Sequence, residues 1–355
     1  MLKTIGIIGG GQLARMICFA AHQLGFKTVI LTDQLNSPAS QVTDKTIVAD
    51  YLDKNALQQF ANLCDVITFE FENIPFESAD FLVSLRKVYP NPKILRITQN
   101  RILEKNFINE IAIQTADYKE VKNVADLKNA LEKFDNKAIL KTATLGYDGK
   151  GQVVIDTKSD LDKIWQDISR QEFQQFILEK FCPFDCEISV IVARSQSGEI
   201  ACYEPLRNIH KNGILDESHY PANITLPLTK QAQDIAIKIA QSLDLIGVMA
   251  VEMFVVKDKI LVNELATRPH NSGHFSMDAA ITTQFEQMIR AITNMPLGST
   301  KYYLQGYMKN LIGSDVDDLK EIVATPNAKL HLYGKEEVKA GRKMGHVNFV
   351  IEKSE

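Results

Sequence analysis

The sequence predicts an α/β and α+β protein with three parts: an N-terminal doubly wound parallel sheet, a larger central domain, and a small β-rich C-terminal domain. Residues 1–90 alternate apolar runs with helical patterns, which indicates parallel strands joined by helices. Two breaks rich in proline, asparagine and glycine, at residues 90–92 and 294–298, divide the chain. We therefore expect domains over residues 1–95, 96–296 and 297–355.

The N-terminal domain is predicted to begin with a strand, a helix and a second strand over residues 4–8, 12–24 and 27–31. Short strands follow at residues 47–49 and 66–69, with a helix between them at residues 55–63. This order is that of a doubly wound sheet.

The central domain is predicted to open with a helix over residues 96–110. A strand at residues 138–141 leads through a glycine-rich segment into a returning strand at 152–155, and further strands cover 173–179, 186–194 and 199–204. A helix over residues 229–243 precedes a hairpin, and a helix over 285–293 ends the domain. The tail, from about residue 300, shows short β-like runs.

Composition excludes several classes of protein. A net charge of −4 provides no basic surface for nucleic acid or acidic lipid. Cys18, Cys64 and Cys202 lie in apolar surroundings, as reduced core thiols do, and the spacing of Cys182 and Cys186 is not the usual zinc spacing. We see no signal-peptide pattern and no apolar stretch of membrane-spanning length, so we expect a cytoplasmic protein with neither a nucleic-acid nor a membrane partner.

The most informative feature is a pair of glutamates, Glu252 and Glu264, in two apolar runs around a polar turn at residues 257–259. The runs predict a β-hairpin, and a hairpin centred on Asp258 places the two glutamates directly opposite each other. Like charges on directly opposed residues destabilise a sheet, and unpaired carboxylates are costly to bury.

A hard cation between these carboxylates would remove both penalties, and Mg²⁺ carrying nucleotide phosphates is the usual such cation. The alternative is a structural pair that shares a proton or contacts an arginine, with Arg268 near in sequence. We favour the metal site.

Two glycine-rich segments suggest phosphate binding. Residues 9–14 fit G-x-G-x-x-A between a strand and a helix, and Asp33 follows Gly11 by 22 residues, where a ribose-binding acid would lie. Such a segment fits either a dinucleotide site or a Rossmann-like domain that binds another anion, and the sequence leaves both open. The segment from Lys141 to Gly151, with Lys150, can fold over a polyphosphate, although it is not a Walker motif.

Two further clusters are polar. His270 and His274 have a zinc-like spacing, but Pro269 and Gly273 favour a substrate-binding loop over a helix. Residues 341–346, GRKMGH, form a basic cluster that could hold a phosphate.

Together these segments resemble the ATP-grasp superfamily, and within it the N5-carboxyaminoimidazole ribonucleotide synthetases. The matching segments span nearly the whole chain: GGGQLARM at 9–16, TFEFENIP at 68–75, GYDGKGQ at 146–152, GVMAVEMF at 247–254, NELATRPHNSGH at 263–274, NLIGSD at 310–315 and AGRKMGH at 340–346. The resemblance implies a Rossmann-like N-terminal domain, a central ATP-grasp domain and a small C-terminal domain.

The resemblance also implies an ATP site between two sheets. The residues expected to contact the phosphates are Arg101, Lys141, Gly146, Tyr147, Asp148, Gly149, Lys150, Gly151 and Gln152. Glu179, Lys180 and Phe181 would meet the adenine, Glu187 the ribose, and His210 the nucleotide side. Glu252, Asn263 and Glu264 would hold Mg²⁺, or Mn²⁺ in its place.

The second substrate implied by the resemblance is 5-aminoimidazole ribonucleotide. Its expected contacts are Tyr147, Asp148, Lys150, His270, Asn271 and Ser272, with its phosphate on Lys335, Arg342 and Lys343. The expected catalytic residues are Asp148, His270 and Lys141.

The implied reaction uses ATP and bicarbonate to carboxylate this ribonucleotide through carboxyphosphate, in a homodimer. Three rival functions are an NAD-linked oxidoreductase, based on residues 9–14 and Asp33; another ATP-grasp ligase, such as a formate-using one; and a catalytically inactive relative.

Overall fold

The computed structural model describes residues 3–146, 151–170 and 175–352. The strands of this part of the chain are β1 (Thr4–Ile8), β2 (Lys27–Thr32), β3 (Lys45–Val48), β4 (Val66–Phe69), β5 (Lys87–Val88), β6 (Tyr118–Val121), β7 (Lys137–Thr142), β8 (Gln152–Asp156), β9 (Phe176–Lys180), β10 (Cys186–Arg194), β11 (Ile200–Cys202), β12 (Leu206–Lys211), β13 (Ile214–Tyr220), β14 (Gly247–Val256), β15 (Lys259–Ala266), β16 (Leu304–Ile312), β17 (Ala328–Leu332) and β18 (Lys343–Glu352).

The α-helices of the same residues are α1 (Gln12–Gln23), α2 (Lys54–Leu63), α3 (Phe76–Val83), α4 (Pro92–Thr98), α5 (Arg101–Glu110), α6 (Val124–Lys133), α7 (Leu161–Ser169), α8 (Leu226–Ser242), α9 (Ser276–Ala279), α10 (Gln284–Thr293) and α11 (Leu319–Ala324). Two 3₁₀ helices lie at Asn271–Phe275 and Gly313–Asp318.

The N-terminal strands form a parallel sheet in the order β3-β2-β1-β4-β5. One face packs on α1 through Ile5 and Ile7, and the other packs on α2 and α3 through Ile8 and Leu31. The predicted doubly wound sheet is therefore confirmed.

A small antiparallel sheet in the order β6-β9-β7-β8 packs against α6 and α7. A larger sheet runs β15-β14-β10-β12-β13-β16-β18-β17, with β11 beside β10. Helix α8 covers one face of this sheet, and α1 and α10 lie against the other. The C-terminal strands continue this sheet across the predicted boundary at residues 296–297, and the two predicted domain boundaries stay predictions.

The structure changes three local predictions. The single helix over residues 96–110 is two helices, because the side chain of Asn100 accepts the backbone N–H groups of Ile102 and Leu103 and so starts α5 anew. The β12–β13 hairpin was not predicted, although Asn212 and Gly213 at its turn have the positive φ angles that this residue pair favours. The predicted loop over residues 268–274 includes the start of the 3₁₀ helix Asn271–Phe275.

Among the helices of the described residues, none has the length and apolar character needed to cross a bilayer.

Candidate active site

A cavity of about 680 Å³ lies between the N-terminal sheet, the small sheet and the large sheet. Its size is within the range of small-molecule sites. The predicted site residues that line it are Arg101, Lys141, Gly146, Gln152, Glu187, His210, Glu252, Asn263, Glu264, His270, Asn271 and Lys343. Residues far apart in sequence thus share one wall.

The other predicted residues lie elsewhere. Tyr147, Asp148, Gly149 and Lys150 fall outside the described residues. Those that the structure describes but that do not line the cavity are Gly151, Glu179, Lys180, Phe181, Ser272, Lys335 and Arg342. The functional roles of all these residues stay predictions.

The acidic pair lies on the hairpin of β14 and β15, where Glu252 is the cross-strand partner of Glu264. Neither carboxylate contacts Arg268, which the sequence offered as a partner and which lies 3.4 Å from Glu72. Glu264 Oε2 instead accepts a hydrogen bond from Arg101 Nη1 at 2.8 Å. Glu252 Oε1 lies 3.0 Å from His270 Nε2.

The charge state of Glu264 follows from this contact. Burial would raise the pKa of its carboxyl group, but the Arg101 guanidinium lowers that pKa to about 2. Glu264 is therefore ionised at neutral pH. Its neighbour Glu104 behaves oppositely, because burial, followed by the Glu264 charge, raises the pKa of Glu104 well above its ordinary value.

Lys141 is held by a buried ion pair. Its Nζ lies 2.9 Å from Glu179 Oε2, and Lys105 Nζ lies 3.6 Å from Glu179 Oε1. All three side chains are buried. Burial would raise the pKa of Glu179, but Lys105 and Lys141 lower it to about 2. The side chain of Glu179, expected at adenine, thus anchors a lysine of the cavity wall.

The side chains of the other two residues expected at adenine contact residues that do not line the cavity. Lys180 Nζ lies 2.7 Å from Asp135 Oδ2, and the ring of Phe181 lies 3.8 Å from Lys137 Nζ. Nearby, the rings of Phe184 and Phe254 stack at 4.8 Å and both line the cavity. Flat apolar surface of this kind suits a nucleobase.

Glu187 and His210 contact each other at the same end of the cavity. Burial would lower the pKa of His210, but its hydrogen bond to Glu187 raises it above the ordinary value. This pair provides a charged, polar edge beside the two stacked phenylalanine rings.

The glycine-rich start of α1 is occupied by the protein itself. Glu70 accepts the backbone N–H of Gly11 and, at 2.9 Å, that of Ala14. A Cβ atom on Gly11 would lie 2.7 Å from the Glu70 carboxylate. The N–H groups that would hold a dinucleotide phosphate therefore already hold a carboxylate, which counts against the oxidoreductase alternative.

The C-terminal basic residues are not equivalent. Lys343 lines the cavity, whereas Lys335 Nζ donates to the Lys343 carbonyl at 2.6 Å. Arg342 Nη1 donates to the Glu337 carbonyl at 3.0 Å, away from the cavity wall. Of the three predicted phosphate contacts, only Lys343 reaches the cavity.

Sequence reasoning missed several residues of this site. Glu70, Glu72, Glu104, Phe184 and Phe254 line the cavity. Glu70 and Glu72 lie in TFEFENIP, a segment to which we assigned no role, and an acid after a buried strand was the available signal.

Family models match three consecutive parts of the chain. They describe a ribonucleotide synthetase preATP-grasp domain over residues 2–99, an ATP-grasp domain over 106–285, and a phosphoribosylaminoimidazole carboxylase C-terminal domain over 306–355.

Two relatives are similar over almost all of the chain. The N5-carboxyaminoimidazole ribonucleotide synthase of Brucella melitensis is 45% identical over 97% of this chain and 95% of its own length. The bifunctional purine synthesis protein of Dictyostelium discoideum is 43% identical over 97% of this chain, which spans 37% of that protein.

Solved structures agree with these relatives. An N5-carboxyaminoimidazole ribonucleotide synthetase crystallised with ADP superposes with a TM-score of 0.95, at 45% identity, over 99% of this chain and 94% of that one. The Aspergillus clavatus enzyme, crystallised with ADP and 5-aminoimidazole ribonucleotide, has a TM-score of 0.92 at 28% identity over the same shares of the chains, 99% and 94%.

Proposed function

Since this chain belongs to the N5-carboxyaminoimidazole ribonucleotide synthetases, ATP-grasp ligases of purine biosynthesis, we propose that it carboxylates 5-aminoimidazole ribonucleotide with bicarbonate and ATP. The products are N5-carboxyaminoimidazole ribonucleotide, ADP and phosphate. Family membership supports this assignment, and the residues that line the cavity support a mechanism for it.

The observation that supports the function best is the meeting of the acidic pair with basic residues in one cavity. Glu252 and Glu264 share the wall with Arg101, Lys141 and His270. Catalysis of phosphoryl transfer depends mainly on positioning and on neutralising negative charge. This wall presents cations for the phosphate oxygens beside carboxylates that can hold a divalent ion.

The donor set of the acidic pair fits Mg²⁺, or Mn²⁺. Glu252 and Glu264 provide carboxylate oxygens, Asn263 provides an amide oxygen, and Glu264 is ionised at neutral pH. When bound, the ion would neutralise charge on the β- and γ-phosphates of ATP.

The first step joins a bicarbonate oxygen to the γ-phosphorus of ATP, and the bond to ADP breaks, which gives carboxyphosphate. Lys141 and Arg101 stabilise the charge that develops on the phosphoryl oxygens. Glu179 and Glu264 hold these two cations in place at 2.9 and 2.8 Å.

In the second step the carbon–oxygen bond of carboxyphosphate breaks to give CO₂ and phosphate. The amine of 5-aminoimidazole ribonucleotide then forms a bond to the CO₂ carbon, and its nitrogen releases one proton. His270, Asn271 and Lys343 all line the cavity. In this proposal His270 and Asn271 orient the ribonucleotide while Lys343 binds its phosphate. Among the described residues neither of the two buried polar atoms of the Asn271 side chain has a hydrogen-bond partner, which fits a group that binds a ligand. Tyr147, Asp148 and Lys150, which lie outside the described residues, stay predicted contacts of the ribonucleotide.

The test is ADP release from MgATP, with the ribonucleotide and bicarbonate each supplied or omitted. We expect release that requires the ribonucleotide, and carbon-13 from labelled bicarbonate in an acid-labile product. Release driven by a different amine would keep the ATP-grasp chemistry and reject this substrate. Absence of ADP under every condition would reject the function.

We further propose a homodimer and a cytoplasmic location. All five cysteines are free thiols in the structure, as is usual in a reducing compartment. Light scattering of the purified protein tests the dimer, and a monomeric mass would reject it.

A further inference from the structure

His270 is held at both of its ring nitrogens. Nε2 lies 3.0 Å from Glu252 Oε1. Nδ1 lies 2.9 Å from Ser272 Oγ and accepts the backbone N–H of Ser272 at 3.3 Å. The ring therefore cannot turn without breaking contacts at both ends.

These contacts select one tautomer of the neutral ring. A backbone N–H can only donate, so the nitrogen that it faces, Nδ1, must be the acceptor. The proton then lies on Nε2, where it donates to the Glu252 carboxylate. The other tautomer would place two acceptors 3.0 Å apart at Glu252 and two hydrogens together at the Ser272 amide.

A second serine, Ser189, orients the Ser272 hydroxyl. Ser189 Oγ donates to Ser272 Oγ at 2.7 Å, and both residues are fully buried. With one lone pair of Ser272 used by Ser189, its own proton is directed to His270 Nδ1. Ser189 is also the cross-strand neighbour of Glu252. The two residues that fix the His270 ring, Glu252 directly and Ser189 through Ser272, are therefore paired in the same sheet.

The buried position of Ser272 separates it from the substrate. It does not line the cavity, and among the described residues its hydroxyl forms hydrogen bonds only with His270 and Ser189. A contact between Ser272 and the ribonucleotide would require the 3₁₀ helix Asn271–Phe275 to move.

We infer that Ser272 and Ser189 are positioning residues, which keep His270 as a hydrogen-bond donor at Nε2 beside the acidic pair. In this state His270 presents the N–H of Nε2 to negatively charged oxygens. This inference rests on the proposed function, since it assigns the state in which His270 serves that reaction.

The test compares three alanine variants. Ser272→Ala removes the contact to Nδ1, and Ser189→Ala removes the support behind it. Ser78→Ala is the matched control, because Ser78 is also buried and donates to the Tyr51 carbonyl at 2.6 Å, with no partner in common with Ser189, Ser272 or His270. Nitrogen-15 NMR of histidine-labelled protein reads the tautomer, and a His270→Gln variant assigns the signals.

We expect wild-type His270 to show an unprotonated Nδ1 and a protonated Nε2. Loss of a hydrogen bond to the ring should lower kcat about tenfold in Ser272→Ala and about threefold in Ser189→Ala, with the KM for ATP unchanged. The Nδ1 signal should shift in both variants and not in Ser78→Ala.

A protonated Nδ1 in the wild type would overturn the inference, as would equal effects of Ser189→Ala and Ser78→Ala. If Ser272→Ala does not fold, the comparison of Ser189→Ala with the control variant still tests the inference. The NMR result does not depend on turnover, so an inactive wild type would reject the proposed function and leave the tautomer assignment standing.

Discussion

Glu252 faces Glu264 across the β14–β15 hairpin because a β-bulge shifts the register between them. From the turn, the pairs run Val256 with Lys259 through Met253 with Val262, and the next pair is Glu252 with Glu264. A regular ladder would have paired Glu252 with Asn263. Bulges redirect side chains near active sites, and here the extra residue brings two carboxylates together.

Glu264→Gln should abolish ADP formation that depends on the ribonucleotide while the fold stays intact. The change removes one of the two carboxylates proposed for the metal and the ionic partner of Arg101, 2.8 Å away. We expect a loss of at least about a hundredfold in kcat, since the metal ion and Arg101 both stabilise charge on the phosphoryl group during its transfer. The measurement is steady-state ADP release, with circular dichroism for the fold.

The control for this variant is Glu217→Gln, a glutamate of the same sheet that contacts Lys309 at 3.4 Å outside the cavity. Its turnover should match the wild type. Unchanged turnover in Glu264→Gln would remove the basis of the metal assignment.

Lys105→Met should weaken ATP binding and lower the free energy of unfolding. Lys105 is 1% exposed, contacts Glu179, and donates to the carbonyl of Asn263, the bulge residue, at 3.3 Å. Its loss leaves Glu179 partly uncompensated and the bulge unsupported. We expect a rise of about tenfold in the KM for ATP and a loss of roughly 3 kcal/mol in urea unfolding.

The matched change is Lys128→Met, which breaks an exposed pair with Asp162. Exposed ion pairs contribute about 0.5 kcal/mol or less to the free energy of unfolding. The KM for ATP and the free energy of unfolding of Lys128→Met should therefore stay near those of the wild type. Equal effects of the two variants would show that the buried ammonium has no special role.

Glu179→Gln should make the free energy of unfolding depend less on pH in acid. The folded-state pKa of Glu179 is about 2, below the ordinary 4.5, so its ionised form stabilises the fold. This contribution is complete above the ordinary pKa and is lost as the pH falls from 4.5 towards 2. Between about pH 5 and pH 3 the wild type should lose about 2 kcal/mol more than the variant.

The measurement is urea unfolding of both proteins across this pH range. The variant should also be less stable at pH 7, because Lys141 and Lys105 then lack their shared partner. Parallel pH curves would contradict the lowered pKa.

Lys343→Met should raise the KM for 5-aminoimidazole ribonucleotide about tenfold, as expected when a phosphate loses a charged hydrogen-bond partner. Arg342→Met is the comparison, since Arg342 has the same charge one residue away and donates to the Glu337 carbonyl. Its KM should stay within about twofold of the wild type, as is usual for surface changes. The measurement is the KM for 5-aminoimidazole ribonucleotide of each variant at saturating ATP. A larger rise in Arg342→Met than in Lys343→Met would assign the phosphate contact to Arg342.

The sequence was sufficient wherever neighbouring residues define the structure. Apolar runs around a short polar turn predicted the hairpin, and the opposed glutamates are confirmed, although the prediction placed the turn centre at Asp258. The two unpaired turn residues are Lys257 and Asp258, and the bulge at Asn263 restores the pairing. The helix over residues 96–110 failed because one side-chain cap, at Asn100, outweighs a continuous helical pattern.

By itself, then, the sequence determined the order of elements over residues 4–69, the acidic pair and the family resemblance, because periodicity and motifs depend on residues close along the chain. The partner of each buried charge was decided only by the tertiary structure. Arg101 meets Glu264 across 163 positions, and Glu70 reaches Gly11 across 59. A buried charge must be compensated by whichever segment folds beside it, and no local pattern records which segment that is.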